Sequence, residues 1–147
     1  MATVFDVAHY ILERLGSMSA MKLQKFVYYA QAWSLVWDER PLFEEDIEAW
    51  PNGPVVPDLY RIHSEKFLVS PNDVKGDSCR LDNVARETID AVLDFYGAHT
   101  AQWLSDLTHQ EWPWLHARQG IPHGTRSHTI ITPASMHEYY SGLFDNE

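Results

Sequence analysis

Apolar residues recur at steps of three and four through most of this chain, the spacing of helical faces. In the stretch 19–37, SAMKLQKFVYYAQAWSLVW, one face carries Leu23, Phe26, Val27, Ala30, Trp33, Ser34 and Trp37. Tyr29, Ala32, Leu35 and Val36 fill the other sides, and a helix apolar all round is a central one. Lys22, Gln24, Lys25 and Gln31 give its first half a wetter side. The pattern therefore predicts a helix that enters from the surface and ends in the interior. Before it, Val4, Val7, Ala8, Ile11, Leu12 and Leu15 form one stripe opposite Asp6, His9, Glu13 and Arg14. That spacing predicts a first helix over 3–15, with Thr3 as N-cap, Asp6 three residues on, and Gly16 ending it. Ser17 or Ser19 then caps the central helix, so the two form a helical hairpin.

After Trp37 the period changes. PLF at 41–43 and IEAW at 47–50 alternate around the acidic turn Glu44, Glu45, Asp46, which predicts a short two-stranded ribbon resting on a helix. Asn52 and Gly53 reverse the chain, and the flanking Pro51 and Pro54 lack N–H donors, which argues against a hairpin continuing past them. Pro57 and Asp58 suit a helix start, with Leu59, Tyr60, Ile62, His63 and Phe67 facing inward. Residues 68–80 read as a surface loop. A helix over 81–96 buries Val84, Ala85, Ile89, Val92, Leu93 and Tyr96. Thr100 caps a short helix with Trp103, Leu104 and Leu107, another restarts near Pro113 and runs to 118, and a last one spans 133–143. A short strand at 129–132 lies within the intervening loop. The fold class expected is mainly α: a compact helical domain around a central buried helix, with a short two-stranded β-ribbon.

The length of 147 residues fits one domain, 1–147, and the 45% hydrophobic content with six Trp suits a well-filled core. No apolar run approaches the ~18 residues of a membrane span. The opening MATVFDVAHY has no basic region before an apolar stretch, and the one cysteine, Cys79, excludes a disulfide framework. A cytoplasmic protein is expected. Its formal net charge of −10 repels phosphate, so a nucleic-acid partner is disfavoured; an acidic surface can steer a basic protein partner, but acidity also serves solubility alone, so charge by itself identifies no partner.

Chemistry-bearing patterns are sparse. His109 and His116, then His123 and His128, are the nearest groupings among eight histidines, and neither has zinc-ligand spacing. Cys79 has no histidine close by to act as base, and no nucleophile elbow or phosphate-cradling loop occurs. A metal-dependent enzyme using the late histidines is the alternative class. The aromatics Tyr28, Tyr29, Trp33, Trp37, Trp50, Tyr60, Trp103, Trp112 and Trp114 are expected mostly in the core, and any left exposed suit a protein interface.

Three segments together carry a resemblance: KLQKFVYYAQAW at 22–33; PLF at 41–43 through AW at 49–50 to GPVVP at 53–57 and Tyr60; and LS at 104–105, TH at 108–109 and PW at 113–114. The chain resembles the Panacea domain of antitoxins from bacterial and phage toxin–antitoxin pairs. The resemblance implies a mainly helical domain with no enzymatic activity and no cofactor or metal, which neutralises a cognate toxin by direct binding. Such toxins are encoded by an adjacent gene. They are unrelated to one another, and include alarmone-synthetase-like nucleotide pyrophosphotransferases and small membrane-acting proteins. A homo-oligomer stays open.

The shared residues Lys22, Leu23, Lys25, Tyr29, Trp33, Trp50, Gly53, Pro54, Pro57, Tyr60, His109, Pro113 and Trp114 are expected to build the scaffold, with direct toxin contact the second reading. The irregular stretches 66–80 and 119–132 are the expected places for contacts specific to one toxin. Two departures stand out: Glu39 where relatives often carry Gly, and Asn52 where an aromatic is frequent.

Overall fold

A computed structural model describes residues 2–145. The first helix, α1 (Val4–Leu15), starts with a full capping box: the Asp6 N–H bonds to Thr3, and the Thr3 N–H bonds back to the Asp6 carboxylate at 2.8 Å. Gly16, at φ 82°, ends it. Met18–Ser19 form β1, and the Ser19 hydroxyl caps α2 (Ala20–Trp37) by accepting from the Lys22 N–H. The hairpin expected from the first 37 residues is thus present.

The course of α2 differs from expectation. Its interior is buried without a break from Leu23 to Leu35, and both ends emerge, Met21 at one and Trp37 at the other. The polar side that reads as wet is dry. Gln24, Lys25 and Gln31 are all buried, and a buried amide costs several kcal/mol unless its hydrogen bonds are made. The two glutamines make theirs with non-helical backbone. Gln31 accepts from the Leu42 N–H (2.7 Å) and donates to the Phe43 carbonyl (2.9 Å). Seven residues earlier on the same face, Gln24 accepts from the Val56 N–H (2.9 Å) and contacts His63 Nε2 (2.9 Å). Periodicity counts such residues as polar and so places them outside.

This pairing also relocates the ribbon. Leu42 and Phe43 take their hydrogen bonds from Gln31, not from 47–50. The hairpin instead joins β2 (Glu48–Trp50) to β3 (Gly53–Val55), with Trp50 opposite Gly53, Ala49 opposite Pro54 and Glu48 opposite Val55. Pro54 is tolerated because Ala49 directs both its backbone groups to the other side, its N–H to Thr129 O and its carbonyl to Arg118. The expected strand at 129–132 reduces to one antiparallel bridge, Glu48 with Ile130, and a bond from the Ile131 N–H to Ile47 O.

The helix after the hairpin, α3 (Pro57–His63), buries only Leu59 and His63. Tyr60 and Ile62, expected inside, are exposed, because seven residues bury only one narrow stripe, and Phe67, also expected inside, lies past the helix end and is exposed. Residues 68–80 are more ordered than a plain surface loop. Leu68–Val69 form β4, antiparallel to β1, and two 3-10 turns follow at Pro71–Asp73 and Ser78–Arg80. Val69 and Val74 are fully buried. The stretch is pinned to α1 by a bond from the Asp77 N–H to Asp6 (2.8 Å). Burial pushes the Asp6 carboxyl up, but the N–H groups of Asp77 and Thr3 outweigh it and leave the pKa below its ordinary value.

The remaining helices are α4 (Asn83–Tyr96), α5 (Ala101–Thr108), α6 (Trp112–Ala117) and α7 (Pro133–Asp145). Along α4, Ala85, Ile89, Val92, Leu93 and Tyr96 are buried as the stripe predicts, while Val84 lies on the exposed side of the first turn. Seven helices and two short antiparallel pairs among the described residues make this a mainly α fold. One continuous apolar cluster joins α1, α2, α4 and α7.

The buried amide and the buried amine of α2 predict opposite outcomes for the same substitution. Gln31→Met leaves the Leu42 N–H and the Phe43 carbonyl without their partner, and is expected to lower unfolding free energy by about 2–4 kcal/mol. Lys25, with no carboxylate partner among the described residues, is held by burial at a pKa of about 8. Its folded-state value is depressed, so the charged amine weakens the fold at pH 7 and the penalty fades as pH rises from about 8 towards 10.5. Lys25→Met is therefore expected to match or exceed wild-type stability at pH 7, with the difference shrinking above pH 8. Urea denaturation of both variants at two pH values checks the pair.

Candidate functional site

Of the shared residues, the structure gathers Lys25, Trp50, Gly53, Pro54, Tyr60, His109 and Trp114 where the β2–β3 hairpin meets the corner between α5 and α6. The hairpin backbone is clamped from below. Trp114 Nε1 donates to the Trp50 carbonyl (2.8 Å), Ser105 Oγ to the Asn52 carbonyl (2.9 Å), and Arg118 Nη1 to the Ala49 carbonyl (2.8 Å). The His109 ring spans two carbonyl oxygens, Ser105 O at 2.6 Å and Pro51 O at 2.8 Å. With one ring proton it donates to one of them, with two protons to both. Both ring nitrogens are committed to the scaffold, which leaves His109 with none to offer a metal.

Gly53 sits at the centre of the clamp with φ 122°, a conformation open to glycine and strained for other residues. A Cβ there would stand 2.7 Å from Lys25 Cε and 3.1 Å from Thr108 Oγ1. The glycine is thus required both by backbone angle and by the closeness of the Lys25 stem. Trp50 packs edge-on against Tyr60 with ring centroids 4.8 Å apart, and its Nε1 donates to Glu48 Oε1 (2.9 Å). Asn52 is the exposed tip of the turn.

Beside the clamp lies a buried carboxylate that sequence reading misses. Glu111, the N-cap position of α6, accepts from the hydroxyls of Tyr29 (2.6 Å) and Tyr140 (2.9 Å). Tyr140 also lies 3.0 Å from the Tyr28 hydroxyl. Tyr29 stacks on Tyr96, whose hydroxyl accepts from Trp33 Nε1 at 3.0 Å. Burial pushes Glu111 up to about 7, although the two tyrosine hydroxyls oppose the shift. The signal available in the sequence was the THQE stretch at 108–111, whose glutamate reads as a helix-start residue. Its actual partners are 82 and 29 residues away.

The other shared residues are placed elsewhere. Leu23 is in the α1–α2 core, and Lys22 lies over the Phe26 ring at 5.6 Å. Trp33 lies further along α2, Pro57 starts α3, and Pro113 is buried in the first turn of α6. The late histidines do not converge. His116 stacks on Trp112, His128 pairs with Glu48 at 3.0 Å, and His123 is exposed. No group of three or more His, Cys, Asp or Glu with metal-holding geometry occurs among the described residues. No described helix is long and apolar enough to cross a membrane. Arg118, absent from the shared set, is as central as any member of it. It is buried, bonds three carbonyls and lies 5.5 Å from the Trp114 ring.

Glu39 adopts φ 52°, the one non-glycine residue with positive φ among those described. The turn after α2 keeps the backbone that a glycine would give, at a cost of about 1 kcal/mol.

A helical domain wrapped on one buried helix, with its shared residues clamping a small hairpin, is the class these features define. A family model described as "Antitoxin SocA-like, Panacea domain" matches residues 23–115. A similar protein is Antitoxin SocA of Caulobacter vibrioides (strain NA1000 / CB15N). It is 31% identical over 125 residues, covering 74% of this chain and 66% of that protein. No solved structure matches. The chain belongs to the SocA-like antitoxin family and carries its Panacea domain.

Gly53→Ala combines left-handed strain with a clash against Lys25 and is expected to lower stability by about 2–3 kcal/mol. Gly142→Ala, inside α7 with open space around it, is expected to raise it by up to ~1 kcal/mol. Their denaturation midpoints, measured side by side, check both signs.

Glu111 predicts a pH effect. Its folded-state value of about 7 lies above the ordinary 4.5, so the native state holds the proton more tightly. The contribution to stability is full below pH ~4.5, falls as pH rises, and is gone above pH ~7. Glu111→Gln keeps a carbonyl acceptor and does not titrate. Relative to wild type, it should gain on the order of 2–3 kcal/mol between pH 5 and pH 8. Paired denaturation series at those two pH values give the difference.

Proposed function

We propose that this protein is a non-catalytic antitoxin that neutralises a cognate toxin by direct, stoichiometric protein–protein binding, as in type II pairs. The observation that carries this reading is the family match over 23–115. The use of the shared residues agrees with it. Lys25, Tyr29, Gly53, His109 and Trp114 are spent on holding the hairpin and the core, so a common scaffold is kept while the exposed surface is free to vary with the toxin. The partner is the product of an adjacent gene, with an alarmone-synthetase-like nucleotide pyrophosphotransferase one candidate class. An acidic protein of net charge −10 suits a basic face on that partner. Masking the toxin's active surface is the mechanism favoured; delivery of the toxin to a protease is the alternative route to the same outcome. Action in the cytoplasm and carriage on phage or mobile elements belong to the same reading.

Co-expression with the neighbouring reading frame tests it. The neighbour alone is expected to arrest growth, and this protein is expected to restore growth and co-purify with it. A neighbour that is harmless, or toxicity that persists with the two proteins failing to co-purify, overturns the reading.

A further inference from the structure

An apolar recess lies between the end of α2, the second half of α4 and the last turn of α7. It has a volume of about 200 Å³. Buried Trp33, Val92 and Tyr96 form its floor, and the bond from Trp33 Nε1 to the Tyr96 hydroxyl fixes that floor in place. Its walls are Trp37, Phe95 and Phe144, exposed by 40%, 67% and 51%. Trp37 stacks on Trp33 at 5.0 Å, and Phe95 meets Tyr96 edge-on at 4.8 Å. Three large rings held open to solvent on a rigid base have the form of an interaction site, because contiguous exposed apolar surface is otherwise kept small.

The charge around the recess identifies the partner's chemistry. Residues 87–96 of α4, the whole of α7 and residues 33–39 contain no lysine or arginine. Glu87 and Asp94 flank Ala91 and Phe95 on α4, Asp38 and Glu39 follow Trp37, and Asp145 follows Phe144. The first cation beyond α2, Arg40, is held by Asp82 at 2.6 Å, and Arg14 is engaged by Asp90 at 3.3 Å. Arg86, at the start of α4, is turned away to the Ser78 carbonyl at 2.8 Å, so the field over the recess is negative, while its interior is aromatic. Such a surface takes a bulky apolar anchor with lysine or arginine on either side, and its helical walls suit an amphipathic helix laid across them.

We propose that this aromatic recess is where the toxin docks, receiving a basic amphipathic segment of the toxin through one apolar anchor. The proposal rests on the antitoxin reading above. It places the contact on regular helices rather than in residues 66–80 or 119–132. Both of those stretches are partly tied down, the first by β4, Val74 and Asp77, the second by Arg118 and the Glu48 bridge.

The test uses the full chain co-expressed with the adjacent toxin. Phe95→Glu and Phe144→Glu alter exposed side chains, so the fold is expected to survive, as circular dichroism and thermal midpoint will show. Both are expected to weaken toxin binding at least tenfold and to abolish growth rescue. The double charge reversal Glu87→Lys with Asp94→Lys is expected to weaken binding about tenfold at low salt, and less at high salt. Trp103→Glu and Leu115→Glu, at exposed apolar positions outside the recess, are expected to bind and rescue as wild type does. If wild type and the two phenylalanine variants rescue equally, the recess is not the docking site while the antitoxin reading stands. If wild type itself fails to rescue or co-purify, both fall. A dimer of this protein that Phe95→Glu dissolves while toxin binding is retained overturns the proposal in favour of a second copy.

Discussion

A helix buried from Leu23 to Leu35 leaves the segment crossing it, residues 41–57, with no water on its inner side. Up to Val56 that segment is not helical, and its hairpin is too short to satisfy its own backbone. The amides of Gln31 and Gln24 supply what is missing, each pairing with main-chain groups as a neighbouring strand would. Their spacing of seven, two helical turns, matches the points where the chain arrives at Leu42 and leaves at Val56. Unpaired amides in that setting would oppose folding by more than a buried leucine contributes, ~1.5–3 kcal/mol. Paired, they fix the path of the chain, which apolar contacts alone would not do because those are non-directional.

The hairpin is then held a second time, from the side of α5 and α6. Here again side chains serve backbone: Ser105, Trp114 and Arg118 each donate to a carbonyl of residues 49–52, and the His109 ring lies between the carbonyls of Ser105 and Pro51. Between these two sets of bonds the Lys25 stem lies against Gly53. Glu111 extends the arrangement from α6 into α2 and α7 through Tyr29 and Tyr140. Such polar networks constrain geometry more sharply than they stabilise, since a satisfied internal hydrogen bond contributes only about 1 kcal/mol net. This accounts for polar residues at buried positions where leucine would bury more apolar area.

Helix existence, caps and order were legible from periodicity and turn chemistry. Thr3, Ser19 and Thr100 cap as their positions predict, and Gly16 and Gly97 end helices where the stripes stop. What was not legible is tertiary satisfaction of polar groups. Gln24, Lys25 and Gln31 are read as solvent-facing by any rule that ranks residues by polarity, and the glutamines' partners lie up to 39 residues away. The misplacement of the ribbon follows from the same cause. Without Gln31 as a partner for Leu42 and Phe43, the pattern of those residues calls for a strand beside them. Pro54 seemed to forbid the hairpin that forms, because the outward turn of both Ala49 backbone groups is set by Thr129 and Arg118. Of the site, the shared residues were legible through resemblance, while Glu111 and Arg118 were not, since nothing local distinguishes a buried charge from a surface one.

The division between buried and exposed residues separates what a family must share from what one pair of proteins can tune. Changing Gln31, Gly53 or His109 leaves main-chain groups unpaired or brings atoms into contact, so these positions answer to the fold. Phe95 and Phe144 answer to no internal hydrogen bond, and Trp37 only to a stacked neighbour. Large apolar rings gain little for this chain by facing water, and Glu87 and Asp94 beside them have no ion pair among the described residues. Both features become favourable together when a basic, apolar segment covers them: ring burial contributes affinity and the uncompensated carboxylates contribute steering and register. A scaffold rigid enough to hold such rings open, joined to a rim whose residues are free to change, lets a domain keep its fold while its exposed surface varies.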